Sequence, residues 1–374
     1  MAGIYLHIPF CRQKCHYCNF FTFVSKKYRE QFFQALNEEI YRRREYLSGQ
    51  PVGSVYFGGG TPSLIDPSIL SMLLDTIRAY YPVMKSAEIT VEMNPDDVTP
   101  EVLEEYRRAG INRISIGVQS FFEEDLRYLN RVHTAGQSLE SVRIVQEAGF
   151  DNLSIDLVYG MPTLSSGHWE KNLETAFRVK IPHISAYALT VEPRTGLDIL
   201  IRRHKLPGPG EEQTVHHFRI LQEKMKEQGY EHYEISNFCR EGRYSVHNSN
   251  YWKDIHYLGA GPSAHSYDGV SRQWNISSVI QYIDMIRNGE RHFERELLSP
   301  EQKYNEYVMV SLRTQWGCDL EKIGSAFGPE QEDYCRTRAQ RHIVTGDMER
   351  RENTLYLTGK GRILADAIAS DLFL

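Results

Sequence analysis

At 374 residues, with 41% hydrophobic and 25% charged content, the chain has the composition of an ordinary globular protein large enough for more than one folding unit. Its formal net charge of −6 lacks the basic footprint of a dedicated nucleic-acid binder. No apolar run approaches the roughly 18 residues of a membrane span, and no basic-then-apolar lead segment marks secretion, so a cytoplasmic protein is expected.

From the first residue, apolar strand-like runs alternate with helical patterns. Strands are predicted at 3–8, 54–57, 88–92, 113–118, 152–158 and 183–189, with helices at 26–47, 67–80, 100–109, 138–148 and 169–179 between them. Gly110 and Gly149 close two of these helices, as a left-handed C-terminal cap prefers. The alternation implies a parallel sheet with right-handed crossovers. Its six units fall short of the eight of a closed barrel. The fold class is therefore α/β, a partial (β/α)6 barrel over residues 1–210. Around Leu206-Pro207-Gly208-Pro209-Gly210 the pattern breaks, and a helix at 211–228 opens a connecting region over 211–298. Residues 299–374 read as a helical, winged-helix-like domain with a short strand at 354–358 and a terminal helix at 361–373.

The most specific chemistry lies just after the first strand. Cys11, Cys15 and Cys18 are spaced C-x3-C-x2-C on one short loop. Three thiolates can hold three corners of a [4Fe–4S] cube and leave the fourth iron open to a ligand that is not protein. The rival is a structural zinc with His16 as fourth ligand, although zinc sites usually pair two knuckles and only one is present. Cys239, Cys318 and Cys335 are scattered and receive no role.

Other polar signals fall at the C-terminal ends of the predicted strands, where a barrel of this kind has its cleft. Gly58, Gly59, Gly60 and Thr61 follow strand two, glycines allowing close backbone approach to a ligand or simply a tight turn. Glu92 ends strand three, Gln119 follows strand four, and Asp156 interrupts the apolar strand five. Asp156 needs a partner, either a ligand or an internal pair with Arg131. Far downstream, His247, Asn248, Tyr251 and Trp252 spell H-N-x-x-Y-W. Such a histidine is either a packed core residue or an axial ligand to heme iron, whose plane suits aromatic walls.

The cysteine spacing after a strand, with Tyr17 before the last cysteine, resembles the radical S-adenosylmethionine (SAM) superfamily. More closely, residues 5–20 resemble the oxygen-independent coproporphyrinogen III oxidase family. The resemblance implies a [4Fe–4S] cluster on Cys11, Cys15 and Cys18, with the amino and carboxylate groups of SAM on the open iron. It implies SAM contacts at Tyr5, Tyr17, Gly59, Gly60, Thr61, Glu92, Gln119, Arg131 and Asp156. Of these, the positions of Tyr17, Gly60, Thr61, Gln119, Arg131 and Asp156 correspond to contacts with a second SAM molecule. The H-N-x-x-Y-W spelling is similar to the heme-binding signature of the family's heme-chaperone branch. That makes His247 the expected ligand to heme iron, with His256 and His265 next on composition. Phe20 stands where the oxidase has a further cysteine, and the lead-in before Cys11 is shorter than the oxidase's covering extension. Both departures imply a chaperone that passes heme to an acceptor protein, in solution or at the membrane face, and works with an electron donor. The alternative is oxidative decarboxylation of coproporphyrinogen III.

Overall fold

The computed structural model describes residues 1–374. Its first half is the expected alternation. In order come β1 (Ala2–Ile8), α1 (Arg29–Arg42), β2 (Val52–Gly59), α2 (Pro67–Tyr80), β3 (Val83–Met93) and α3 (Pro100–Ala109). Then follow β4 (Arg113–Gln119), the short α4 (Glu123–Tyr128), α5 (Ala135–Glu147), β5 (Leu153–Tyr159), α6 (Ser166–Arg178) and β6 (His183–Ala188). Helix starts follow local chemistry. Asp66 accepts the Ser68 N–H ahead of α2, Thr99 caps α3, and Thr134 with Gln137 forms a reciprocal capping box on α5. Gly110 ends α3 with φ +87°. The helix expected at 26–47 is shorter, because Arg43 leaves the helix and turns inward to Gly259 O, Ser266 and Gln273.

Strands β1 to β6 pair in parallel, each with the next. Side chains alternate along them. On β1, Ile4, Leu6 and Ile8 join the main apolar core between sheet and helices, while Gly3, Tyr5 and His7 face the concave interior. That interior is polar, with Ser54, Glu88, Arg113, Ser154 and His183 across its floor.

The connecting region supplies both flanks of this same sheet. After α7 (Gly196–Arg202) and α8 (Glu211–Glu227), the hairpin β7 (Glu231–Glu234) and β8 (Asn237–Cys239) pairs antiparallel beside β6. Next come α9 (Val246–Trp252), β9 (Tyr257–Ala260), β10 (His265–Tyr267), β11 (Ser271–Asn275), α10 (Val279–Asn288) and β12 (Phe293–Leu297). Strand β9 lies parallel to β1, and the sheet has 12 strands in the order β12-β11-β10-β9-β1-β2-β3-β4-β5-β6-β8-β7. Residues from 211–298 such as Phe218, Phe238, Leu258 and Tyr282 belong to the main core. A buried knot ties the flank down. Glu39 of α1 accepts from His292, Tyr282, Asn275 and the Gly261 N–H. Although burial alone would raise it, the His292 contact and the nearby Arg43 charge bring the Glu39 carboxyl to about 2.

The tail has its own smaller core. It runs α11 (Pro300–Leu312), β13 (Cys318–Asp319), α12 (Leu320–Phe327), α13 (Pro329–Val344), β14 (Met348–Arg351), β15 (Thr354–Leu357) and α14 (Ala365–Asp371). The ribbon order β13-β15-β14 against four helices is the winged-helix-like arrangement. No helix in the chain is long and apolar enough to cross a membrane.

Candidate functional site

A cavity of about 410 Å³ opens at the C-terminal ends of the parallel strands. Its wall brings together Cys11, Cys15, Cys18, Tyr17, Gly59, Gly60, Thr61, Glu92, Gln119, Arg131 and Asp156, contributed by five strand ends. The cysteine loop is pinned by its own backbone. Phe23 N–H donates to Pro9 O at 2.7 Å, Cys11 N–H to Phe23 O at 3.3 Å, and Thr61 N–H to Phe10 O at 2.8 Å. Gly60 lies so close to β1 that a Cβ would sit 2.7 Å from the Pro9 carbonyl carbon. That close approach is what the glycine provides.

All three loop cysteines are free thiols with partial exposure. Burial pushes the Cys18 thiol up to about 11 and raises Cys11 as well, the latter partly offset by Thr61. A bound metal would draw the Cys11 and Cys18 thiols into the thiolate form. A structural zinc gathers its ligands on one ion, whereas a cube gives each thiolate its own iron. His16 also faces away from a metal role, since its Nδ1 lies 3.1 Å from Tyr128 O and its backbone is bonded to Leu129 and Leu197. Three free thiols on one loop, with His16 engaged elsewhere, fit a cube that takes three protein ligands.

Glu92 sits opposite. Its Oε1 accepts the Tyr56 hydroxyl at 2.8 Å and its Oε2 accepts Gly59 N–H at 3.2 Å. Burial pushes its carboxyl up to about 7, eased by Tyr56 and reinforced by Asp156. Burial likewise raises Asp156 to about 6, against a hydrogen bond from Ser185. The internal Asp156–Arg131 pair considered from sequence is not formed. Arg131 instead donates Nη2 to Asn94 Oδ1 (2.7 Å) and Gly117 O (3.0 Å), and Nη1 to Cys15 Sγ (3.4 Å). Gln119 adopts φ +67° at a break in the β4 register. A non-glycine residue there stores roughly 1–3 kcal/mol of strain, of the kind binding sites carry.

Two expected residues lie elsewhere. Tyr5 stays behind the wall, its hydroxyl 3.2 Å from His7 Nδ1 and its ring stacked on Tyr56 and His247. His247 is at the opposite end of the barrel, on α9, which plugs the floor. It is 2% exposed, with Nδ1 2.9 Å from Ser54 Oγ and Nε2 2.9 Å from the Tyr251 hydroxyl. Burial lowers its pKa to about 3, so the ring is neutral. Glu88 accepts the Val246 and His247 N–H groups at 3.1 and 3.0 Å, seating the N-terminus of α9. Neither ring nitrogen of His247 is free in this conformation. Of the runners-up, His256 is bonded to Gln50 (2.7 Å), and His265 is exposed beside Trp274.

Sequence reasoning passed over Asn94, Ser115, His133 and Tyr187, all on the cavity wall. Asn94 was within reach, since it follows Glu92 by two residues and a strand repeats its face every second residue.

Comparison with known proteins agrees with this geometry. The family model of the radical SAM superfamily matches residues 5–176. The chain is 33% identical to the heme chaperone HemW of Mycobacterium tuberculosis over 99% of this chain and 94% of that protein. It is also 33% identical to heme chaperone HemW of Bacillus subtilis over 98% of each. The solved structure of coproporphyrinogen III oxidase HemN from Escherichia coli superposes with a TM-score of 0.86 at 23% identity, covering 100% of this chain and 90% of that one. At that identity it speaks for the fold.

Proposed function

The chain belongs to the radical SAM superfamily and, within it, to the heme-chaperone branch related to the anaerobic coproporphyrinogen III oxidases, and from this we propose that it binds heme and passes it to an acceptor protein. The observation that carries this reading is the end-to-end similarity to proteins named heme chaperones. The superfamily's cofactors are a [4Fe–4S] cluster and SAM. Cys11, Cys15 and Cys18 would hold the cluster, and the rim from Gly59 to Asp156 would hold SAM. When bound, the pair supplies one-electron chemistry at the sulfonium of SAM. The chain's own contribution is to orient and to exclude water. Glu92 offers carboxylate oxygens to N–H donors of SAM, and Gly59 and Gly60 allow close backbone approach. An electron donor and a heme acceptor, in solution or at a membrane face, complete the partners.

For heme, His247 remains the ligand implied by the H-N-x-x-Y-W signature. Its Nε2 would have to leave the Tyr251 hydroxyl before facing iron, while the Ser54 contact at Nδ1 can hold the ring orientation, as outer partners of metal-bound histidines do. The neutral ring carries a single proton, which on Nδ1 toward Ser54 would leave Nε2 open to iron. Heme added to anaerobically purified protein is expected to give a Soret band that shifts or collapses in His247→Ala. An unchanged band in the variant removes His247 as ligand. Robust conversion of coproporphyrinogen III to protoporphyrinogen with SAM and reductant would overturn the chaperone reading in favour of the oxidase.

A further inference from the structure

The hydrogen bonds around the cysteine loop share a hub. Asn94 Oδ1 accepts Arg131 Nη2 at 2.7 Å, and Asn94 Nδ2 donates to Thr61 Oγ1 at 3.4 Å. These two partners are also the two side chains that donate to cysteine sulfur. Thr61 Oγ1 donates to Cys11 Sγ at 3.5 Å, and Arg131 Nη1 donates to Cys15 Sγ at 3.4 Å. Asn94 is held in turn, its backbone N–H donating to Ser63 Oγ at 3.2 Å, and Ser63 donating to Asp97 at 2.8 Å. Asp96 and Asp97 both pair with Arg12, which lies inside the cysteine loop. The loop and the end of β3 are thereby locked to each other through one asparagine.

A guanidinium is charged at every working pH. Arg131 has no carboxylate in direct contact. Its hydrogen-bond partners are the Asn94 amide, the Gly117 carbonyl and the Cys15 sulfur, so its charge is directed at the cluster ligands. Reducing an iron–sulfur cluster adds a negative charge, and donors on its sulfurs together with nearby cations make that addition easier.

We propose that Asn94, Arg131 and Thr61 form a clamp that raises the reduction potential of the cluster carried by Cys11, Cys15 and Cys18. Arg131 supplies the charge, and Asn94 is the positioning residue for both sulfur donors. This rests on the cluster assigned above.

The test is a potentiometric titration of the full chain, reconstituted anaerobically with iron and sulfide. Dithionite serves as reductant, the reduced cluster is read by electron paramagnetic resonance, and SAM is left out so that SAM contacts cannot move the result. Arg131→Gln and Asn94→Ala are expected to hold iron and sulfide at wild-type stoichiometry with midpoints shifted to more negative potential. Arg131→Lys, which keeps the charge, is expected to stay near wild type, and Thr61→Val to shift less than Arg131→Gln. A loaded Arg131→Gln with the wild-type midpoint overturns the proposal. If that variant loads no cluster, a loaded Asn94→Ala at the wild-type midpoint overturns it equally. Loss of iron from all of these variants would mean a purely structural clamp, also against the proposal. A wild-type chain that takes up no iron and sulfide would strike the cofactor reading itself, and the clamp with it.

Discussion

At the scale of single residues, the protonation of Glu92 decides what the cavity can accept. Its carboxyl is pushed up to about 7 by burial, with the nearby Asp156 charge adding to the effect. Below that value it is mostly neutral and keeps one proton that an N–H donor from SAM must displace. Binding that needs the carboxylate releases the proton, so acid opposes it. SAM affinity is expected to rise roughly tenfold between pH 6 and pH 8 and to level off above, because one pKa unit is a factor of ten. In Glu92→Gln the profile should flatten at weaker affinity, measured by calorimetry on the reconstituted protein. A wild-type profile that is flat over this range would show that Glu92 does not meet the ligand. The same pocket shows what a sequence can and cannot reveal at this scale. Glu92, Gln119 and Asp156 were legible because each is a polar residue at or within an apolar strand, and the barrel sends all such positions to one rim. The direction of Arg131 was not legible. Whether it turned to Asp156 or to Cys15 depended on Asn94, which no local pattern marks as a partner.

At the scale of elements, α9 is held in place by contacts that its own sequence does not display. Read alone, its histidine, tyrosine and tryptophan leave open a packed core residue or an axial ligand to heme iron. In the fold its N-terminus is seated on Glu88, itself 3.7 Å from Arg113, with both side chains buried. Removing Glu88 therefore does two things at once. It leaves two helix N–H groups without a partner and strands a buried guanidinium. Breaking a buried pair in this way costs about 3–5 kcal/mol, so Glu88→Ala should lower stability by that order in urea titrations. Glu88→Gln, which can still accept those N–H groups, should lose less than Glu88→Ala. A loss below about 1 kcal/mol in Glu88→Ala would mean that α9 is not anchored there. The first six strands were legible because strands covered on both faces read as short apolar runs between helices. Strand β9 was not. It is four residues long, and it joins β1 only because the chain returns from the far side of the sheet. Pairing of that range leaves no local trace. The pattern breaks at Leu206-Pro207-Gly208-Pro209-Gly210, yet the sheet continues across it, because a turn-rich segment marks a change of direction and not where hydrogen bonding stops.

On the scale of the whole molecule, the rim cavity and the floor helix α9 meet across the barrel interior. The cysteine loop and Glu92 lie at the C-terminal ends of the strands, and His247 lies at the floor, beside Gly3 and Ser54. One side chain, Tyr56, spans the distance between His247 and Glu92. Heme bound through His247 and SAM bound at the rim would therefore be kept apart by the Tyr56 ring. One thread does connect them. Tyr56 donates to Glu92 at 2.8 Å while its ring stacks on His247 with centroids 5.0 Å apart. A stacked pair is worth about 0.5–1.5 kcal/mol, so drawing His247 away toward iron can alter SAM affinity by roughly tenfold at most. The expected result is that reconstituted protein saturated with heme still binds SAM to full stoichiometry, with an affinity within that range of the heme-free protein. Calorimetric titrations at several fixed heme concentrations would check it. If the apparent SAM dissociation constant climbs in proportion to heme, the two ligands share one site. Heme would then sit at the cavity mouth beside the exposed Phe20, and α9 would be a structural plug with no metal to hold.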